Sequence, residues 1–154
     1  MTSQFDAHFA LAAVTQRVHA FLNDLVGEVR TLSDGRFIFR EGSTQVIVQC
    51  RPWEDIENTV VDIKAPVVIL VPKSAALYEF VAERSNAFPF ARIWTEDMEE
   101  GMSSVFAGWN LMGNDVDAAE LMSAARNVAL AADRFDDEIK QQFGGLSADA
   151  LSFE

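Results

Sequence analysis

The chain has 154 residues, and its 24 acidic against 12 basic side chains leave a formal net charge of -12 at pH 7. This length suits one domain with a single core. Nucleic acid is excluded as a partner, because binding to its phosphates needs concentrated Lys and Arg, which are scattered here among carboxylates. The longest apolar run, 66–72, is too short to span a bilayer, and residues 1–6 show no signal-peptide pattern, so we expect a cytoplasmic protein without a membrane partner.

The first predicted element is a long helix over residues 5–32. Its apolar residues fall three or four positions apart, which is the spacing of one buried helical face. They are Leu11, Val14, Val18, Phe21, Leu22, Leu25, Val26, Val29 and Leu32. Turn-forming residues at 33–35 end this helix. Residues 36–40 and 44–51 then predict the two strands of a hairpin around a tight turn at 41–43.

The middle of the chain predicts a third strand, a shorter helix and two further strands. Residues 59–71 form the third extended segment. Pro66 interrupts it, and a residue without an N–H group fits an edge position or a bulge better than a central strand. A helix over 74–86 follows, capped by its first serine. Its apolar stripe consists of Leu77, Phe80 and Val81. Residues 90–95 and 102–111 are the last two strands.

A long final helix carries the clearest local signals. Asp117 is placed as its N-cap, with Glu120 three residues on, and Gly144 supplies the positive φ that ends it. The apolar residues of one face are Leu121, Ala125, Val128, Ala132, Phe135 and Ile139. The element order α-βββ-α-ββ-α predicts an α+β domain over residues 1–145, with helices on an antiparallel sheet. We expect residues 146–154 to form a mobile tail.

Cys50 is the only cysteine of the chain. A single cysteine excludes an intramolecular disulfide and fits a reducing compartment. It ends the strand-like run 46–50, and its neighbours Gln49 and Arg51 offer no base that would lower its pKa. We interpret this thiol as structural.

The other titratable residues do not show the pattern that metal binding or acid-base catalysis requires. His8 and His19 lie roughly 16 Å apart along one helix, too far to share an ion. The carboxylates of 133–138 are spaced closely enough to gather a divalent cation, but they lack the glycine turn of a calcium loop. A solvated face is favoured, and recognition of a basic partner is the alternative. The carboxylates of residues 96–100 share a solvent-exposed turn. No neighbouring group there would raise the pKa of one carboxylate relative to the others, as an acid-base pair requires. We therefore predict no enzyme activity, no metal and no cofactor.

Aromatic side chains on the last two predicted strands are the candidate partner-binding residues. Side chains alternate between the faces of a strand, and neither face of these strands is purely polar. Apolar groups on a face without helices imply a second cover, either another protomer or a bound segment. The alternative is that the middle helix and the loop around Pro52 cover it. We predict a homodimer that binds a protein or peptide client. The candidate residues are Phe90, Trp94, Phe106 and Trp109.

Four local patterns between residues 61 and 145 indicate a family. They are VDIKAPV at 61–67, LYEFVAE at 77–83, LMGN at 111–114, and AADRFDDE at 131–138 leading to FGG at 143–145. In this order they resemble the YbjN family and its actinobacterial relatives, peptide-binding chaperone domains similar to class I type III secretion chaperones. The resemblance implies the fold of those chaperones and a non-catalytic role in holding a client. Because the family also includes proteins described as sensory-transduction regulators, the alternative is a regulator or adaptor that binds one folded partner.

Overall fold

Three helices and a seven-stranded antiparallel sheet form the fold, which a computed structural model describes for the backbone of residues 4–151 and the side chains of residues 7–151. The helices are α1 (Gln4–Leu25), α2 (Ala75–Arg84) and α3 (Ala118–Phe143). The strands are β1 (Arg30–Thr31), β2 (Phe37–Glu41), β3 (Thr44–Trp53), β4 (Asn58–Pro72), β5 (Arg92–Asp97), β6 (Met102–Met112) and β7 (Leu146–Ser147). The predicted α+β class is confirmed; β1 and β7 were not predicted.

The sheet has the order β1-β2-β3-β4-β6-β5, and β7 pairs with β4 away from this path. The predicted hairpin of β2 and β3 is confirmed, with Glu41 opposite Thr44 at its turn. β4 is the central strand and pairs with β6 from Val60 to Pro72. β1 and β5 are the two outer strands of the path, so the sheet ends on one side in a strand of only two residues.

The first helix is shorter than the sequence predicts. α1 ends at Leu25, whose side chain is exposed. Arg30 and Thr31 then pair with Ile38 and Phe37 as β1. Leu32, predicted as the last residue of the helical stripe, instead belongs to a small buried cluster on the opposite side of the sheet. The helical spacing of residues 26–32 was misleading because strand pairing, which has no local signal, outweighs a weak helical pattern.

Pro66 lies in a central strand, so the expected edge position is wrong and the alternative of a bulge is correct. The register between β4 and β6 shifts between Pro66 and Val68 and again between Val68 and Val71. On the other side of β4, pairing with β3 ends at Lys64 and pairing with β7 begins at Val68. Pro66 therefore falls where no described strand pairs with that side, a position that tolerates a missing N–H group.

The caps of the two later helices follow the sequence prediction. Ser74 Oγ accepts a hydrogen bond of 3.1 Å from the Leu77 amide, and Asp117 Oδ1 accepts one of 2.8 Å from the Glu120 amide. α3 ends before Gly144, whose φ is 81°. These bonds satisfy amides that the first turn of a helix leaves open.

All three helices cover one face of the sheet, where their apolar side chains form a single core with the inward side chains of the strands. The predicted stripe of α3 is buried along its whole length. The other face, called the open face below, carries alternate residues of β3 to β6: Gln49, Asp62, Lys64, Arg92, Trp94, Phe106, Gly108 and Asn110. Among the described residues, no helix is long and apolar enough to cross a membrane.

The segment after α3, which we expected to be mobile, takes part in the sheet. Leu146 pairs with Ile69 and Ser147 pairs with Val68. A short 3₁₀ turn over Ala148–Ala150 follows. Residues 152–154 lie outside the described part of the chain.

Candidate partner-binding site

The open face is more polar than the sequence suggested. Asp62 accepts hydrogen bonds from Arg51 and Asn110, and Asn110 Oδ1 accepts one of 3.3 Å from Arg92. The middle helix does not cover this face, because Leu77 and the other buried residues of α2 belong to the core on the opposite side. Where β5 and β6 pair, the expected apolar surplus on this face is therefore limited to Trp94 and Phe106.

Trp94 and Phe106 are the aromatic pair of the open face. They stand opposite each other on β5 and β6, and their rings stack with centroids 6.3 Å apart and an interplanar angle of 26°. The indole extends over Gly108, since a Cβ at that glycine would lie 2.5 Å from Trp94 Cη2. A side chain at position 108 would push the ring away, so the indole can lie there only because residue 108 is glycine.

An ion pair fixes this indole in place. Trp94 Nε1 donates a hydrogen bond of 3.0 Å to Glu96 Oε1. Lys64 Nζ lies 2.7 Å from the same oxygen and 3.9 Å from the centroid of the Phe106 ring. A cation near the face of an aromatic ring is attracted by its quadrupole. The four side chains therefore form one cluster, in which Trp94 is half-buried at the sheet margin.

Two depressions flank β5. The larger, of about 500 Å³, extends over the open face and round the start of β5. Its lining includes Asp62, Lys64, Arg92, Trp94, Gly108 and Asn110. The smaller one lies between α2 and β5 and is lined by Tyr78, Val81, Ala82, Ser85, Ile93, Trp94 and Thr95. Trp94 lines both, and the outer side of β5 pairs with no strand among the described residues.

Phe90 and Trp109, the other two predicted residues, form a separate pair. Their rings meet edge to face, with centroids 6.2 Å apart. Trp109 stands opposite Ile63 and packs against the main core, so it faces the helices rather than the open face. The Arg92 guanidinium lies 5.2 Å from its ring centroid. The four candidate residues thus form two pairs on opposite faces of the sheet, and Trp94 and Trp109 both line the larger depression.

Sequence reasoning missed a third group of exposed apolar side chains at the far end of the open face. Trp53, Ile56 and Met112 are all exposed, and Met112 stands opposite Val60. Trp53 was assigned to a polar loop because the prediction ended the strand at residue 51, whereas β3 continues to Trp53. The alternation of the strand, carried two residues further, would have placed Trp53 on the same face as Arg51.

Two of the side chains considered for catalysis or metal binding have structural partners. The His19 ring stacks on Phe37 with centroids 4.8 Å apart. Asp133 accepts hydrogen bonds from the hydroxyl groups of Thr44 and Ser43, and so ties α3 to the turn between β2 and β3. Within the described part of the chain, no three His, Cys, Asp or Glu residues gather where they could hold a metal ion.

Cys50 is expected to react slowly with alkylating reagents. The pKa of its thiol is raised to about 11, mainly by burial and to a smaller extent by the nearby Asp62 carboxylate. At pH 8 such a thiol is about 0.1% ionised, whereas an ordinary thiol with a pKa of about 8.5 is ionised to about a quarter. Because a thiolate of higher pKa is also more nucleophilic, we predict that iodoacetamide labelling at pH 8 is about tenfold slower in the folded protein than in urea. Equal rates would contradict the burial of this thiol.

Comparison with known proteins gives one family. The family described as T3SS (YopN, CesT) and YbjN peptide-binding chaperone 1 matches residues 12–150. This range contains the whole sheet and all four candidate residues. No curated protein sequence matches the chain.

Solved structures share the fold at low sequence identity. The Yersinia pestis type III secretion chaperone SycH, solved with a stable fragment of YscM2, is 18% identical with a TM-score of 0.51, over 79% of this chain and 98% of that chain. A chain of the ExsC–ExsE complex is 11% identical with a TM-score of 0.58, over 82% and 93%. YbjN from E. coli is 9% identical with a TM-score of 0.58, over 83% and 93%. At these identities the likeness concerns the fold alone.

Proposed function

Because the chain belongs to the family of T3SS (YopN, CesT) and YbjN peptide-binding chaperones, we propose that it holds an extended client segment on the open face beside Trp94. The observation that supports this placement is the indole fixed over Gly108 at the margin of the larger depression. A rigid aromatic ring in a partly desolvated position is the usual form of a binding anchor.

The groups around Trp94 suit a client of variable sequence. Arg92 and Lys64 are donors, Asp62 is an acceptor and Asn110 is both. Such a row can meet the carbonyl and amide groups that every extended peptide presents, independently of its side chains. One apolar side chain of the client then lies against the indole. The client is then held by one strong side-chain contact, and its backbone contacts do not depend on its sequence.

Trp94→Ala is expected to weaken client binding without unfolding the protein. A peptide array would first identify apolar-basic segments that bind at about micromolar strength, and fluorescence anisotropy would then follow one labelled peptide. We expect at least a tenfold rise in Kd, equivalent to about 1.4 kcal/mol, from loss of the aromatic contact. Trp53→Ala is the matched control, because Trp53 is an exposed tryptophan at the far end of the same face.

Two results would count against this proposal. Equal binding by Trp94→Ala and the original protein would remove Trp94 from the site. An array on which nearly every peptide is silent, together with tight binding of one folded protein, would favour the regulator or adaptor role instead.

We further propose that the protein is a homodimer, joined through the outer edges of β5. If two β5 strands pair antiparallel about a two-fold axis at Trp94, Arg92 of each copy stands opposite Glu96 of the other, and the two Trp94 residues meet on the axis. Residues that stand opposite each other in an antiparallel pair lie on the same face. The edge is therefore self-complementary in charge, as an isologous interface requires.

Light scattering at about 100 μM, where mass action favours association, is expected to give twice the chain mass of 17.1 kDa. Arg92→Glu places like charges opposite each other on the two copies and should weaken association at least tenfold. Arg126→Glu, a charge reversal of an exposed arginine on α3, is the control. A monomer at this concentration would contradict the dimer.

We also propose that the protein is not an enzyme and acts in the cytoplasm. Its one cysteine has a raised pKa and so lacks the thiolate that nucleophilic catalysis needs. The family is described by the binding of peptides and not by a reaction. Turnover of a substrate that is lost on changing a single carboxylate would overturn this proposal.

A further inference from the structure

The sheet is split along one side of its central strand. β3 pairs with β4 from Ile47, opposite Lys64, to Trp53. The first residues of β3, Thr44 to Val46, pair with β2 only. The gap beside the second half of β4 is filled by β7, which pairs with Val68 and Ile69. The segment after α3 therefore occupies a strand position beside the central strand.

Few contacts hold this segment in place. Lys140 Nζ donates a hydrogen bond of 3.0 Å to Ser147 Oγ, and Arg40 lies 3.6 Å from Asp149 in an ion pair whose side chains are 58% and 70% exposed. Leu146 is half exposed. Exposed ion pairs contribute little to stability, and a two-residue strand with few buried contacts opens at low free-energy cost.

The link to α3 is suited to such opening. Gly144 and Gly145 have φ values of 81° and 100°, a region that other residues rarely adopt. Two consecutive glycines give a link whose direction can change without steric cost. The segment can therefore leave the sheet while α3 stays in place.

The part of β4 beside this segment is apolar and leaves no space for a side chain at residue 145. Val67, Val68, Ile69 and Val71 are all buried there. At Gly145 a Cβ would lie 2.4 Å from Val68 Cγ1 and 2.8 Å from Val71 Cγ2, so only glycine fits. An uncovered strand edge is a template for pairing with another chain.

We propose that this position on β4 accepts a strand of the client in place of β7. The occupant is an extended segment with glycine, then an apolar residue, then a small polar residue, which is the pattern that Gly145, Leu146 and Ser147 present there. The inference rests on the proposed peptide-binding function and adds a second contact, made by backbone pairing. While β7 is in place it competes with the client, because a tethered strand acts at an effective concentration on the order of millimolar.

The test uses the full chain with Gly145→Val. The valine side chain does not fit against Val68 and Val71, so β7 is displaced from β4. The probe is a labelled synthetic peptide with the sequence of residues 143–151. We expect the variant to bind this peptide at least tenfold more tightly than the original protein does. The same peptide with valine in place of its second glycine should lose that gain. Equal binding of the probe by variant and original protein would overturn the proposal.

A second measurement does not depend on the variant. In the original protein, the amide hydrogens of Leu146 and Ser147 should exchange about 100-fold faster than those of β3 that pair with β4. Equal protection would mean that β7 does not open and would overturn the proposal. A dimer of the original protein formed by exchange of tails would also overturn it, because the position would then take a second copy. Trp94→Ala should leave probe binding by Gly145→Val unchanged, so that failure at Trp94 and failure at β4 are distinguishable.

Discussion

Replacing Ile139 or Phe135 by alanine is expected to lower the free energy of unfolding by about 2–5 kcal/mol in each case, because each change leaves a cavity in a packed core. Ile139 is fully buried on α3. The Phe135 ring meets Phe80 and Phe88 edge to face, with centroids 6.4 Å and 5.9 Å apart. Loss of Phe135 therefore removes contacts that join α3 to α2 and to the loop after it.

Urea melts of two aspartate variants of the same helix are the control. Asp137 has a side chain that is 96% exposed, and Asp137→Ala should change stability by less than about 0.5 kcal/mol. Asp136 lies 2.5 Å from Lys140 one helical turn on, so Asp136→Ala should cost about 0.3–0.5 kcal/mol more. Similar small effects for all four variants would show that this face of α3 is not part of the core.

Gly108→Ala is expected to destabilise the protein by about 1–3 kcal/mol and to displace the Trp94 ring. The added Cβ would lie 2.5 Å from Trp94 Cη2 and 2.7 Å from the Ile63 carbonyl oxygen. The indole can rotate away, but the carbonyl belongs to the backbone of the central strand and cannot. Chemical denaturation measures the loss of stability, and tryptophan fluorescence reports the change around the ring.

Gly27→Ala is the matched control for Gly108→Ala. No atom lies within 4 Å of the Cβ that this change would add at Gly27, and its φ is not positive. The two substitutions add the same methyl group, so a difference between them measures the close packing at Gly108. If both variants melt like the original protein, the indole is not seated over the glycine.

The elements predicted correctly are those with strong local signals. α3 has an N-cap, an unbroken apolar stripe and a glycine stop, and each of these depends on residues a few positions apart. The resemblance to peptide-binding chaperones is likewise confirmed, because its four patterns lie in the part of the chain that the family matches. The hairpin of β2 and β3 followed from alternation around Gly42, whose φ is 62°.

The elements predicted wrongly or not at all depend on distant residues. β1 forms because Arg30 and Thr31 pair with β2. β7 forms because β3 does not pair with β4 beyond Lys64, so that this side of β4 is free to pair with Leu146 and Ser147. No spacing within residues 26–32 or 146–147 reveals those partners. Two residues of regular pairing are also too few to produce a periodic signal.

The candidate site was predictable only in part. Alternation places Trp94 and Phe106 on one face and Trp109 on the other once the strands are known to be neighbours. The position of the indole over Gly108 can be predicted only when the register of three strands is known. The ion pair between Lys64 and Glu96 joins residues far apart in the chain. These relations belong to tertiary structure and leave no pattern in the sequence.

The unequal ends of the sheet determine how far the chain can polymerise. A protein with two long free edges can add copies at both and grow into a fibre. Here β5 offers six residues for pairing, whereas β1 at the other end offers two. If two copies pair through β5, the outer ends of the joined sheet are both β1 strands, which are too short to recruit a third copy. Growth of the sheet by pairing at its ends therefore stops at two copies.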